Sequence, residues 1–145
     1  MAEMVQAAHT LTVATRGKGF IDITGELARW LDTIVAQDGL LTVFVSHTSA
    51  SLTIQENADP NVRRDLLEAL EGWAPESRPY AHSEEGPDDM PSHIKAMLTS
   101  VSLSIPVLGA KMSLGTWQGV YLIEHRTAPH ERKVVLSFIG HTADA

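Results

Sequence analysis

The chain contains roughly seven or eight short strand-like segments and three segments with helical spacing, and the two kinds do not alternate regularly. Residues 40–46 are rich in β-branched and aromatic side chains, which favour strands, and residues 50–55 follow as a second strand. Most of residues 102–139 is strand-like as well. A parallel sheet is built from strands that alternate with crossover helices, and this pattern lacks that order. The sequence therefore predicts an α+β fold, a β-sandwich decorated by about three helices.

Apolar side chains recur at the spacing of an amphipathic helix in three places. We predict helices over residues 27–37, 61–71 and 92–99. Asp59 and Pro60 favour the start of the second helix, because aspartate can cap backbone amides and proline at the first position costs no hydrogen bond. In the third helix, the apolar side chains with this spacing are Ile94, Met97, Leu98 and Val101.

The composition limits the compatible classes of protein and partner. At 145 residues, with 43% hydrophobic and 20% charged side chains, we expect one soluble domain spanning residues 1–145. The formal net charge is −7, cysteine is absent, and no apolar run approaches the roughly 20 residues of a membrane helix. We therefore expect a cytoplasmic protein that binds neither nucleic acid nor membrane. The basic pairs Arg63-Arg64 and Arg132-Lys133 are interpreted as solvated surface charge.

Three histidines lie beside small polar or acidic residues in separate parts of the chain. His47 follows a predicted strand, His82 lies in a long acidic loop over residues 74–90, and His93 starts the third predicted helix. Imidazole is the usual protein ligand for zinc and the usual proton-transfer group near neutral pH. A helix amino terminus disfavours an imidazolium, so His93 should be neutral and able to bind a metal. Taken alone, His47 is more typical of a structural residue, His82 of a surface residue and His93 of a residue at a helix start; together they predict a metal site or an acid–base site.

Further polar residues accompany the histidines. Asp89 could cap the third helix or accept a hydrogen bond from a metal-bound imidazole. Trp117 and Gln118, between two glycines, indicate either a hairpin with a core tryptophan or an aromatic wall with an orienting amide. The polar segment after the apolar strand 120–123 marks either solvent or the rim of a site; it consists of Glu124, His125 and Arg126. The sequence patterns of dinucleotide dehydrogenases, P-loop enzymes, serine esterases and zincins are absent.

Several segments resemble, in order, the motifs of the YjbQ family, also called the UPF0047 family. Residues 47–60 read HTSASLTIQENADP and resemble its first motif. The later matching segments are YAH at residues 80–82, DDMPSHIK at residues 88–95 and GTWQG at residues 115–119. The resemblance covers about residues 10–140, nearly the whole chain. It implies a jelly-roll-like antiparallel β-sandwich that assembles as a homotrimer, and many members carry the name secondary thiamine-phosphate synthase.

The resemblance also implies roles for particular residues. Family motifs place histidines at the positions of His47, His82 and His93, which implies that the three converge on one site. Four further residues fall on motif positions: Asn57, Asp65, Gln118 and Glu124. After the glutamate, many members read Glu-hydrophobic-Asp-x-Pro-Arg, whereas residues 124–132 of this chain read EHRTAPHER. We therefore carry over no Asp or Arg role there and expect His125 and Arg126 to replace them.

Three functions are compatible with these residues, so the sequence does not decide whether the protein is an enzyme. The first is a weak transferase that joins a pyrimidine diphosphate to a thiazole phosphate, with magnesium, Lys95 and Arg126 neutralising the pyrophosphate and Trp117 as an apolar wall. The second is a metal-dependent hydrolase or lyase acting on an unknown small molecule. The third is a non-enzymatic trimeric metal-binding protein.

The residues expected at the site fall into three groups. Those expected to be catalytic are His47, Asp89 and Glu124. Those expected to bind a phosphorylated substrate are Asn57, Trp117, Gln118, His125 and Arg126. Those expected to bind a divalent metal, with zinc as the favoured ion, are His47, His82 and His93.

Overall fold

The structure, a computed structural model, describes residues 3–143 and contains eight strands and three helices in this range. In chain order they are β1 (Val5–Ala14), β2 (Gly19–Asp22), α1 (Thr24–Thr33), β3 (Ala36–Val45), β4 (Ala50–Glu56), α2 (Pro60–Trp73), α3 (Asp89–Leu98), β5 (Ser102–Leu108), β6 (Lys111–Met112), β7 (Gln118–Glu124) and β8 (Glu131–Thr142). The strand-rich pattern predicted from the sequence is confirmed.

The strands form two antiparallel sheets, which confirms the predicted α+β sandwich class. A five-stranded sheet has the order β1-β8-β3-β5-β6, and a three-stranded sheet has the order β2-β7-β4. Alternate residues of β3 face inward, so Leu41, Val43 and Val45 are buried, while Leu52 of β4 and Leu122 of β7 contribute from the other sheet. Both sheets share one hydrophobic core, as expected for a single domain.

The helices lie close to their predicted positions, but α1 and α3 each begin three residues earlier than predicted, at Thr24 and Asp89. Asp59 caps α2 through a hydrogen bond from the backbone amide of Asn61 at 2.9 Å, with Pro60 in the first turn, as predicted. The first helix ends at Thr33 rather than at residue 37, because Val35 adopts a positive φ of 49° that turns the chain into β3. No helix within residues 3–143 is long and apolar enough to span a membrane.

The third helix turns its polar side towards the protein interior. Asp89, Ser92 and Lys95, spaced three residues apart, are 2%, 0% and 1% exposed, whereas Met97 and Leu98 are 78% and 52% exposed. The apolar stripe predicted for this helix is therefore wrong as a description of its buried face. Polar side chains are buried only where they have partners, so the inner face of α3 marks a place where other polar groups converge.

Candidate functional site

His82, Asp89 and His93 come together in the structure. Asp89 and His93 lie one turn apart on α3, and His82 reaches them from the loop over residues 74–88, which contains no helix or strand. The Nε2 atoms of His82 and His93 lie 2.7 Å and 3.2 Å from Oδ2 of Asp89. One ligand atom from each residue falls within 4.8 Å of the other two. Two predicted metal ligands are thus joined, with Asp89 as the third member.

The orientation of the His93 ring indicates what this cluster can hold. Its Nδ1 lies 3.2 Å from the carbonyl oxygen of Thr48, which can only accept a hydrogen bond, so Nδ1 carries a proton. In a neutral ring Nε2 is then an unprotonated acceptor, and it faces a carboxylate oxygen of Asp89, another acceptor. Two acceptors at 3.2 Å need a proton or a metal cation between them. The donor set therefore fits a cation.

Arg126 fixes the loop and the Asp89 carboxylate. Its guanidinium donates to Oδ2 of Asp88 at 2.9 Å, to Oδ1 of Asp89 at 2.8 Å and to the carbonyl of Glu85 at 2.9 Å. Burial alone would raise the pKa of Asp88, but hydrogen bonds from Arg126 and the Thr127 amide outweigh it and lower this pKa to about 2. Arg126, expected to bind substrate, is instead engaged with the protein. It leaves Oδ2 of Asp89 free to face the histidines.

His47 lies outside the cluster formed by His82, Asp89 and His93, but it lines a groove that His93 also lines. Its Nε2 is 2.8 Å from the backbone nitrogen of Lys133, and its Nδ1 is 3.4 Å from Nη1 of Arg132. Burial, followed by the positive charge of Arg132, lowers the pKa of His47 and favours the neutral ring. The sequence predicted His47 as the third metal ligand beside His82 and His93, whereas in the structure the third ligand atom of the group belongs to Asp89.

The groove that joins these residues lies between the end of β3 and helix α3. It has a volume of about 1140 Å³, and His47, Thr48 and His93 form part of its wall. The rest of the wall combines hydroxyl groups with apolar side chains, among them Phe44, Met97, Thr99 and Val101. The groove therefore offers imidazoles, hydroxyls and an apolar surface to a small molecule.

Glu124 is buried and fully engaged. Oε1 accepts from Thr15 Oγ1 at 2.7 Å and from Arg132 Nε at 2.8 Å, while Oε2 accepts from Arg132 Nη2 at 2.5 Å and from the Arg126 amide at 3.0 Å. Burial would raise the pKa of Glu124, but the hydrogen bonds from Arg132 and Thr15 outweigh it and lower this pKa. With 0% exposure and four donors, Glu124 has no oxygen left for a substrate, contrary to its expected catalytic role.

Arg132 is the residue that the sequence interpretation missed. It was interpreted as solvated surface charge, yet it is only 3% exposed and pairs with Glu124. Its Nη2 also donates to the carbonyl and hydroxyl oxygens of Ser49 at 3.2 Å and 3.0 Å. Its place in β8 gave a signal, because residues two apart on a strand share a face, and Val134 and Leu136 are buried.

The second residue expected to replace family positions, His125, points into the interior. It is 1% exposed, and its Nε2 lies 2.8 Å from the hydroxyl of Ser51. Its Nδ1 is buried without a hydrogen-bond partner within residues 3–143. Burial and the charge of Lys95 lower its pKa to about 4. His125 therefore cannot contact a substrate in the groove, contrary to the prediction.

The structure places the remaining predicted residues elsewhere. Asn57 and Gln118 contact each other at the far ends of β4 and β7, beside the exposed Trp117. The ladder pairs Ala50 with Glu124 at one end and Glu56 with Gln118 at the other, so the two ends are roughly 20 Å apart at about 3.3 Å per residue. These three residues do not join the histidine cluster within one chain.

Lys95, expected to neutralise a phosphate, is instead buried in an ion pair. Its ammonium group contacts Oε1 of Glu71, and Lys18 approaches the same carboxylate at 3.0 Å. Burial would raise the pKa of Glu71, but the hydrogen bonds from Lys95 and Lys18 outweigh it and lower this pKa. The charge of Lys95 is thus matched inside the protein.

The fold and the cluster together define a class: small α+β proteins with two antiparallel sheets and a pair of histidines that share a carboxylate, one of the two histidines also lining a groove. The family model described as UPF0047 protein YjbQ-like matches residues 9–141, and the chain belongs to this family. It is 46% identical over 136 residues to a UPF0047 protein of Synechocystis, covering 93% of this chain and 92% of that protein. It is 42% identical over 133 residues to YjbQ of Salmonella typhimurium, covering 91% and 96%.

Solved structures agree with this assignment. A YjbQ/UPF0047-family protein of Clostridium acetobutylicum is 38% identical, with a TM-score of 0.79 and coverage of 91% of this chain and 98% of that chain. A YbjQ-like protein of unknown function from Sulfolobus solfataricus has a TM-score of 0.89 at 22% identity, covering 96% of this chain and 100% of that chain, which shows a shared fold.

Proposed function

We propose that the protein binds one divalent transition-metal ion, with zinc as the favoured ion, at His82, Asp89 and His93. The observation that carries the proposal is the pair of imidazole nitrogens at 2.7 Å and 3.2 Å from one carboxylate oxygen. In a tetrahedral zinc site with ligand bonds of about 2.0–2.1 Å, neighbouring ligand atoms are about 3.3 Å apart. The separation between Nε2 of His93 and Oδ2 of Asp89, 3.2 Å, is close to that value, and all three ligand atoms lie within 4.8 Å of one another, so small side-chain adjustments would complete the site.

The surroundings of the cluster support a site of the catalytic type. Three protein ligands leave one tetrahedral position for water or substrate, whereas structural zinc sites are closed by four. The side chains of His82 and His93 are 49% and 32% exposed and Asp89 is 3% exposed, so the cluster is accessible from solvent on its histidine side, and His93 also lines the groove. A metal bound there would polarise a substrate oxygen or activate a water. Arg126 and the Thr48 carbonyl hold the ligands in orientation from behind.

Among the reactions considered, a metal-dependent hydrolase or lyase on a small molecule fits the structure best. Arg126 and Lys95, the cations expected to neutralise a leaving pyrophosphate, both pair with carboxylates of the protein. Trp117, the expected apolar wall, lies at the far end of the small sheet. With Glu124 engaged by four donors and Asp89 used as a metal ligand, His47 on the groove wall is the group left to transfer a proton.

The thiamine-phosphate synthase reaction is the second candidate. One observation favours it: a groove of about 1140 Å³ has room for two small substrates side by side, because pockets for one drug-sized ligand span roughly 300–1,000 Å³.

Homotrimer formation is likewise part of the proposal. Exposed apolar side chains are the kind of surface that self-association buries, and here they are Phe44, Met97 and Val101 on the groove wall and Leu98 beside it.

Metal binding is tested with chelator-treated protein dialysed against zinc, and bound metal is measured by mass spectrometry. Wild type should retain about one zinc per chain, and His82→Ala and His93→Ala should each weaken binding by at least about tenfold, because each removes one of three ligands. His9→Ala is the matched control, since His9 lies on β1 and stacks on Trp30, away from the cluster. Equal zinc retention in His9→Ala and His93→Ala would contradict the proposed site.

The reaction is tested on the zinc-loaded protein. Wild type, His93→Ala and His9→Ala are compared on a panel of small esters and phosphoesters, and separately on the two phosphorylated thiamine precursors with added magnesium. We expect turnover of a panel compound that His93→Ala loses and His9→Ala keeps. If wild type and His9→Ala instead form thiamine phosphate, His93→Ala does not, and no panel compound is turned over, the synthase reaction becomes the favoured function.

A further inference from the structure

The two ring nitrogens of His47 face only hydrogen-bond donors. The backbone N–H of Lys133 approaches Nε2 at 2.8 Å, and the guanidinium nitrogen Nη1 of Arg132 lies 3.4 Å from Nδ1. A neutral imidazole has one acceptor nitrogen and one N–H, so only one of these contacts is a hydrogen bond. The other brings two donors together without an acceptor.

The shorter contact decides which nitrogen accepts. A proton on Nε2 would collide with the amide hydrogen of Lys133 at a nitrogen separation of 2.8 Å, whereas the Arg132 contact at 3.4 Å is looser. The favoured ring therefore accepts at Nε2 and carries its proton on Nδ1. This leaves His47 Nδ1–H and Arg132 Nη1–H side by side, both seeking an acceptor.

No group within residues 3–143 supplies that acceptor. Nε and Nη2 of Arg132 are held by Glu124 and Ser49, but Nη1 has no contact other than His47 within residues 3–143. The carboxylate of Glu124 lies on the opposite edge of the guanidinium and is saturated by four donors. Because Glu124 and Ser49 fix the guanidinium, the unused N–H group is held in place before any ligand arrives.

We propose that His47 Nδ1–H and Arg132 Nη1–H form a binding subsite for an oxyanion, a phosphate or carboxylate group of the small molecule that occupies the groove. Two convergent donors, one of them charged, are the groups that recognise such oxygens. The subsite adjoins the proposed metal centre, since His47 and His93 line one groove and His93 contacts Thr48, the next residue along the chain. Resting on the proposed function, this defines the substrate class: a small anion whose second oxygen reaches the metal.

The subsite is tested without metal, so that its failure and that of the metal centre are distinguishable. Chelator-treated wild type, His47→Phe, His93→Ala and the matched control His9→Phe are titrated with inorganic phosphate and, separately, acetate, by calorimetry. Phosphate or acetate should bind wild type, His93→Ala and His9→Phe alike, and His47→Phe should bind about tenfold more weakly, because a charge-assisted hydrogen bond is lost. The anion that binds more tightly identifies the substrate group.

Two results would overturn the proposal: equal anion affinity in wild type and His47→Phe, or loss of anion binding in His93→Ala. The latter would place the anion at the histidine–aspartate cluster instead. Should His47→Phe fail to fold, NMR of the wild type answers the same question. Added phosphate should then shift the His47 ring signals and the side-chain N–H signals of Arg132, and unchanged signals of both would contradict the subsite.

Discussion

Replacing Glu124 by Gln should destabilise the fold rather than remove a catalytic proton carrier. The wild-type carboxylate accepts four hydrogen bonds, two of them from the buried guanidinium of Arg132. A Gln amide keeps one oxygen but turns an NH₂ group towards two of these donors. The variant also leaves Arg132, 3% exposed, without a counter-charge.

The expected loss is large because the pair is fully buried. Removing one partner of a buried ion pair costs about 3–5 kcal/mol, against about 5–15 kcal/mol for the whole free energy of unfolding of a typical domain. Glu26→Gln is the matched control, because Glu26 forms an ion pair with Arg29 in which the two side chains are 44% and 68% exposed. Such a surface pair contributes about 0–1 kcal/mol.

The assay is urea unfolding followed by circular dichroism at neutral pH. Glu124→Gln should lower the free energy of unfolding by several times the effect of Glu26→Gln. The double variant Glu124→Leu with Arg132→Met should be more stable than Glu124→Leu alone, because it removes the stranded charge. Equal and small losses in Glu124→Gln and Glu26→Gln would refute the reasoning and return Glu124 to the catalytic candidates.

Two further predictions concern stability. The pKa of His125 is lowered to about 4 from an ordinary value of 6.5, so the unfolded chain takes up a proton first as the pH falls, and this imidazole should cost about 3 kcal/mol of stability between pH 6.5 and 4. The difference in free energy of unfolding between wild type and His125→Gln should therefore change over this pH range. A constant difference would contradict the burial argument. Val35→Gly should raise the free energy of unfolding by about 0.5–1 kcal/mol, because a left-handed conformation costs a β-branched residue more than glycine. The control is Val5→Gly in strand β1, which should lower the free energy of unfolding. A decrease in Val35→Gly as well would show that the substitution relieves no backbone strain.

The sequence by itself determined the features that depend on neighbouring residues. A run of β-branched and aromatic side chains predicted β3, and Asp59-Pro60 predicted the start of α2, because strand propensity and helix capping depend on a few neighbouring residues. The motif histidines His82 and His93 were likewise visible before the fold was known.

Only the tertiary structure decided which polar groups meet. His93 is oriented by Thr48, 45 residues away, and His47 faces Arg132, 85 residues away, so no local pattern could assign either contact. Packing of the two sheets buries Arg132 beside Glu124, and the register of β4 with β7 places Gln118 at the end of the small sheet far from the histidines. A buried charge is stabilised by the groups that surround it in space, and strand register and helix packing, rather than position along the chain, determine which groups these are.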